Sequence, residues 1–250
     1  MMELLVETLT RRVRHYVDIG PDSFSELETL SYRMETYRTG EDIIRVGETV
    51  DHVFVVEQGW AIRYRRLEDG RRQILNFMLP GDCFDMMAVT SATADHNVAA
   101  ATKLTLRRVA AKDFLSTIQR NNVLATAFWW SVIQEEAILR EQIVRVGRRS
   151  ARERVSHLLL ELNRRIAAVE GELKDVIDLP FPQALLGDAL GLSVVHISRT
   201  LSWLRSEGLI STAPEGIAIR DRARLTQLAD FNTDYLHLDR LTLVGAGVDA

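Results

Sequence analysis

From Tyr37 to Val109 the chain runs in short apolar, β-branched stretches, "HVFVVEQG", "WAIRYRRL", "RQILNFML" and "NVAAATKLTLRRV", punctuated by glycines at 40, 47, 59, 70 and 81. Arg63, Arg65, Arg71 and Arg72 alternate with or flank apolar residues, as on half-buried strands. Asp69-Gly70 is a preferred dipeptide of tight hairpin turns. Evenly spaced short strands with turn signals predict a small barrel or sandwich. Upstream, "DSFSELETLSYRM" reads as a helix, with Ser23 and Glu26 at capping-box spacing.

The period changes after Ala111. Trp129, Val132, Glu136, Leu139, Ile143 and Val146 recur at spacings of 3, 4, 3, 4 and 3, a heptad seam on a long helix. Leu124, Ala127 and Phe128 supply a second apolar face, and Trp130 and Ile133 a third. A helix apolar on several sides needs several covers: its own β-domain and the same helix of a second copy. Glu136 is the awkward member, because two buried carboxylates facing each other disfavour ionisation of both.

Gly147 interrupts the helical pattern at "VGRRSARERV", and Ser150 is placed to cap the next helix. That helix, "ARERVSHLLLELNRRIAAVE", stops at Gly171, and "VIDLP" reads as a short strand. Pro182 occupies a first-turn position before "QALLGDALG", Gly191 ends this helix, and Ser193 caps the next. Two short helices separated by "GLS" make a helix-turn-helix, and "LISTAPEGIAIR" supplies a hairpin wing. On the second of these helices Ile197, Leu201 and Leu204 form the core stripe, and Val195, Arg199 and Ser202 another, flanked by His196 and Ser198. An outward Arg199 can hold guanine O6 and N7 together, and Val195 can touch a thymine methyl. These positions make Val195, His196, Ser198 and Arg199 the base-reading candidates. Ser193, Arg148, Arg149 and Arg152 are the candidates for phosphate contacts, which position without reading sequence.

The net charge of -4 and pI of about 5.9 argue against a protein that coats nucleic acid indiscriminately. From Arg140 to Arg165, however, eight arginines stand against three glutamates, 8 - 3 = +5. A single cysteine, Cys83, excludes a disulfide scaffold and an all-cysteine metal site within one chain, and fits a reducing cytoplasm. No apolar run approaches the roughly 20 residues of a membrane span, and the N-terminus lacks the pattern of a signal peptide. Walker, HExxH and G-x-S-x-G motifs are missing, so no enzyme is expected; nor is any metal or cofactor site.

Taken in order, "GETVDHVFVVEQG" and "MLPGDCF", the seam helix, and "LGLSVVHISRTL" resemble the Crp/Fnr family of bacterial transcription regulators over about residues 20 to 230. The resemblance implies an α+β fold. A β-roll sensor with N-terminal helices would span 1–119, a dimerisation helix 120–147 and a winged helix-turn-helix 148–230, with a tail at 231–250 beyond the resemblance. It implies a homodimer on a two-fold symmetric DNA site, with RNA polymerase as a further partner, and it makes Arg199 the guanine reader. Val195 stands where the family often has a glutamate, and Val194 where one branch has another arginine. Cyclic-nucleotide-binding members carry a Gly-Glu pair and an Arg-Ser pair around the phosphate; these fall on Asp85-Met86 and near Ala94-Asp95. Cyclic AMP is therefore not expected. The effector is unassigned, with Asp85, Met86, Asp95 and His96 as candidate pocket residues. The alternative is a protein-interaction or haem/redox-sensing module on the same fold, with Cys83, His15, His52 and His96 as the residues such a haem site would draw on.

Overall fold

Period-2 burial builds the first layers. In the computed structural model, which describes residues 7–238 apart from 15, 18, 19, 21, 22, 24, 28, 29, 91 and 215, eight strands form two four-stranded antiparallel sheets. They are β1 (Arg33–Tyr37), β2 (Asp42–Ile44), β3 (His52–Gln58), β4 (Ala61–Arg66), β5 (Arg72–Met78), β6 (Cys83–Phe84), β7 (Asn97–Ala100) and β8 (Leu104–Ala110). One sheet has the order β1-β8-β3-β6 and the other β2-β7-β4-β5, so strands distant in sequence lie side by side, as in a β-roll. Asp69 and Gly70 sit in the β4–β5 hairpin turn, where Gly70 has a positive φ of 86°. Val53, Val56, Leu104 and Leu106 are fully buried between the sheets. Helix α1 (Glu7–Arg14) closes one side of the roll, and α2 (Ala111–Arg120) follows its last strand.

Helix α3 spans Asn122–Arg148, capped by the Asn121 side chain, which accepts from the Val123 and Leu124 amides at 3.1 and 3.0 Å. Gly147 does not break it; the helix runs one residue further, because an exposed glycine costs a helix end little. Leu124, Ala127 and Phe128 pack on the β-roll. The seam lies on the other side: Trp129 is 66% exposed and Ile143 69%, with Val132 also exposed and Leu139 and Val146 half-buried. Glu136 leans outward onto Arg140 one turn away, so its charge is matched within the helix. Ser23 is not an N-cap: it is a buried helical residue whose hydroxyl exchanges hydrogen bonds with the Asn121 amide, tying the N-terminal segment to the start of α3.

Helix α4 (Ala151–Glu170) begins with a complete capping box, Ser150 with Glu153, and ends at Gly171 in the left-handed region. Then come β9 (Val176–Asp178), α5 (Gln183–Leu190), α6 (Val194–Ser206), β10 (Ile210–Ala213), β11 (Gly216–Ile219) and α7 (Arg222–Ala229). Pro182 is the N-cap of α5 rather than its first helical residue, since its ψ of 153° is extended. Sheet order β10-β11-β9 makes the wing. This domain rests on the β-roll. Phe181 stacks on Phe77 and meets Trp60 edge-on, Arg72 pairs with Asp188, and Gln73 donates to the Ala189 carbonyl at 3.0 Å.

Candidate nucleic-acid interface and effector pocket

The turn between α5 and α6 is set by backbone hydrogen bonds. Gly191 adopts φ 64°, and the amides of Gly191 and Leu192 both donate to the Gly187 carbonyl. A side chain at Gly187 would meet the Leu192 carbonyl oxygen at 2.6 Å, so glycine is what lets the chain fold back so closely. The Ser193 hydroxyl then accepts from the His196 amide at 3.2 Å and starts α6. Ile197, Leu201 and Leu204 are buried, and Thr200 joins them. Val194, Val195, His196, Ser198, Arg199 and Ser202 are exposed on the opposite side. Among the described residues Arg199 has no ion-pair or hydrogen-bond partner, so its planar set of donors is unspent.

The arginine-rich junction divides. Arg148 is exposed, and Arg152 is exposed with its guanidinium 3.8 Å over the Trp203 ring, anchored on the flank of α6. Arg149 differs from the expectation of a phosphate contact. It turns inward to Glu141, whose carboxylate also lies 3.1 Å from His157, and only 14% of its side chain is exposed. A carboxylate this enclosed needs a cation, and Arg149 is the nearest one. Arg154 donates to the Arg149 and Leu190 carbonyls at 2.7 and 2.9 Å, joining the junction to α5.

A cavity of about 420 Å³ lies between the second sheet and α3. All four candidate effector residues line it: Asp85 and Met86 after β6, Asp95 and His96 before β7. His96 bridges the two acids, with Nδ1 2.7 Å from Asp95 and Nε2 2.8 Å from Asp85. Burial opposes charging this ring, but the hydrogen bonds to Asp85 and Asp95 outweigh it and hold its pKa above the ordinary value. The hydrogen bond from His96 holds Asp95 below the usual carboxylate range. Asp85 adopts a left-handed backbone, φ 57°, and one of its carboxylate oxygens has no hydrogen-bond partner. The sequence reading missed three charged groups here. Arg63 lies 3.7 Å from Asp85 and is paired with Glu135 of α3, while Arg65 donates to the Asp95 carbonyl. The i, i+2 spacing of Arg63 and Arg65 on one strand was the available signal; Glu135 arrives from a distant helix and left none. Cys83 borders the same cavity, and burial raises its thiol pKa.

Among the described residues no group of acidic, histidine or cysteine side chains could hold a metal ion, and no helix is long and apolar enough to cross a membrane. His15 lies outside the described residues.

Residues 34–121 match the cyclic nucleotide-binding domain family and residues 153–228 the Crp-like helix-turn-helix domain family. The chain is 32% identical over 214 residues to the transcriptional activatory protein AadR of Rhodopseudomonas palustris, covering 85% of this chain and 87% of that protein. It is 32% identical over 206 residues to the nitrogen fixation regulation protein FixK of Bradyrhizobium diazoefficiens, covering 82% and 84%. The solved structure of FixK2 from Bradyrhizobium japonicum superposes with a TM-score of 0.71 at 30% identity, covering 80% of this chain and 98% of that one. The relatives are named as regulatory proteins, and these families and names indicate a transcription regulator, not an enzyme. The chain thus belongs to the Crp/Fnr family of transcription regulators and carries a DNA-binding helix-turn-helix.

Proposed function

We propose that the protein acts in the cytoplasm as a homodimer on a two-fold symmetric DNA site and that each α6 reads one half-site. The observation that carries this is Arg199, exposed at the middle of α6 with no partner of its own among the described residues. Its fork reads a guanine through O6 and N7; Val195 lies against a thymine methyl, and His196 and Ser198 complete the base contacts. Arg148, Arg152 and Ser193 meet phosphates. The exposed seam of α3 pairs with its copy. AadR is described as a transcriptional activatory protein, which supports RNA polymerase as a further partner.

The cavity beside α3 is not a cyclic-nucleotide site in this reading. A cyclic phosphate needs an unspent cation; Arg63 is already committed to Glu135 and Asp85, Arg65 is turned to the Asp95 carbonyl, and Asp85 and Asp95 would repel the anion. Arg199→Ala tests the DNA reading. Loss of a bidentate guanine contact costs about 1–3 kcal/mol at each half-site. In a selection from random duplexes the variant should lose its guanine preference at the matching position of both half-sites, while its sedimentation stays that of the parent. A retained guanine preference would overturn the assignment.

A further inference from the structure

Residues 231–238 lie beyond the helix-turn-helix match, which stops at 228. They turn back across the junction of α3 and α4. The Phe231 ring meets the buried His157 ring edge-on at 5.0 Å, and Tyr235 stacks on the same imidazole at 5.9 Å. The Tyr235 hydroxyl donates to Glu161 Oε2 at 2.8 Å. Glu161 is 2% exposed and also receives Arg145 of α3. Leu236 is fully buried, and its carbonyl accepts from the Gln134 amide of α3. The same Gln134 accepts from Arg12 at 2.6 Å and Tyr16 at 2.7 Å. His237 lies edge-on to Trp130 at 5.3 Å. One short segment therefore grips α4 of the DNA-binding domain and α3 of the sensor side together.

We infer that residues 231–237 form an internal strap that fixes the DNA-binding domain against α3 and holds α6 in one orientation, ready for DNA. The polypeptide between the two long helices is Arg149 and Ser150, both with extended backbone. A two-residue link leaves the angle between α3 and α4 to side-chain contacts. Those contacts converge on Arg145, His157 and Glu161, and Tyr235 supplies a second donor to Glu161 Oε2. A buried carboxylate deprived of a donor loses the stabilisation that kept it inside. His157 is kept neutral, with its pKa pushed down to about 2 by burial and by Arg145 and Arg149, so its ring stacks without a charge to solvate. With the strap in place Val195, His196, Ser198 and Arg199 stand open to solvent. The strapped arrangement is thus compatible with DNA rather than closed against it. Ordering the domain in advance removes an entropic cost that binding would otherwise carry.

The inference rests on the reading of α6 as the DNA-contacting helix, and hydrogen exchange without DNA separates the two. The comparison uses full-length protein, a chain ending at Asp230, and full-length Tyr235→Phe. The shortened chain should exchange amides at residues 140–160 at least about tenfold faster, equivalent to 1.4 kcal/mol of local opening. It should bind its duplex about tenfold more weakly. Tyr235→Phe, which keeps the ring, should shift both in the same direction by about threefold. Unchanged exchange in Tyr235→Phe overturns the strap, including when the shortened chain fails to fold. Faster exchange with tighter DNA binding overturns its readying role. If the full-length protein binds no duplex, the reading of α6 has failed, and exchange alone then decides the strap.

Discussion

His96 is held between two carboxylates of opposite character. Asp85 is 1% exposed and short of one hydrogen-bond partner; Asp95 is 81% exposed. Arg63, Arg65 at the Asp95 carbonyl and, through Arg63, Glu135 are the other charges around the ring. Because His96 is protonated more readily folded than unfolded, protons favour the folded state. Its contribution is fully present below the ordinary histidine pKa of about 6.5 and is lost as pH rises through the raised value. The urea midpoint of the parent should therefore exceed that of His96→Gln most clearly near pH 6, and the gap should narrow towards about pH 9. A gap that stays constant across this range would mean that the imidazole binds Asp85 only as a neutral donor.

At the scale of elements, Gly187 shows two opposed effects that magnitude separates. Replacing a helical glycine by alanine ordinarily stabilises by about 1 kcal/mol. Here the added methyl would stand 2.6 Å from the Leu192 carbonyl, a backbone atom that moves only if the turn between α5 and α6 opens. Forcing an extra carbon into such packing costs about 1–3 kcal/mol, so Gly187→Ala should lower Tm and weaken DNA binding with it. A raised Tm would show that the turn yields freely. The glycine itself was visible in "LLGDALG", but its necessity was not, since it follows from a carbonyl five residues later. The same division runs through α3. Its seam was legible because apolar residues at heptad spacing need no knowledge of the rest of the chain. Its inner face was not: Gln134, Gln142 and Arg145 are buried, and polar residues acquire partners there only once α1, α4, α5 and the strap arrive. In the cavity, likewise, Asp85, Asp95 and His96 came from sequence, whereas Glu135 reaches them through tertiary packing alone.

At the scale of the whole molecule, the described residues leave an apolar face of α3 uncovered. Trp129, Val132, Leu139, Ile143 and Val146 run along α3 on the side turned away from the β-roll, and Ile143 is the most exposed of the large apolar residues described. Heptad spacing fits this face to a second copy of the same helix, where Ile143 would meet its counterpart across a two-fold axis. Ile143→Glu would set two carboxylates opposite each other in a dehydrated seam, and Arg140, three residues away, is already paired with Glu136. The parent should sediment at twice its 28.4 kDa chain mass and the variant at the chain mass, with the helix content of the two alike. Dimer loss should reach the DNA as well. A single α6 still meets its half-site, but it forfeits the effective concentration that tethering gives the second, commonly worth a factor of 10² or more. Its salt slope should fall by about half, since half the phosphate contacts remain. A dissociated variant that kept both the parent's affinity and its salt slope would mean that one copy suffices for DNA binding and that the exposed seam of α3 has another use.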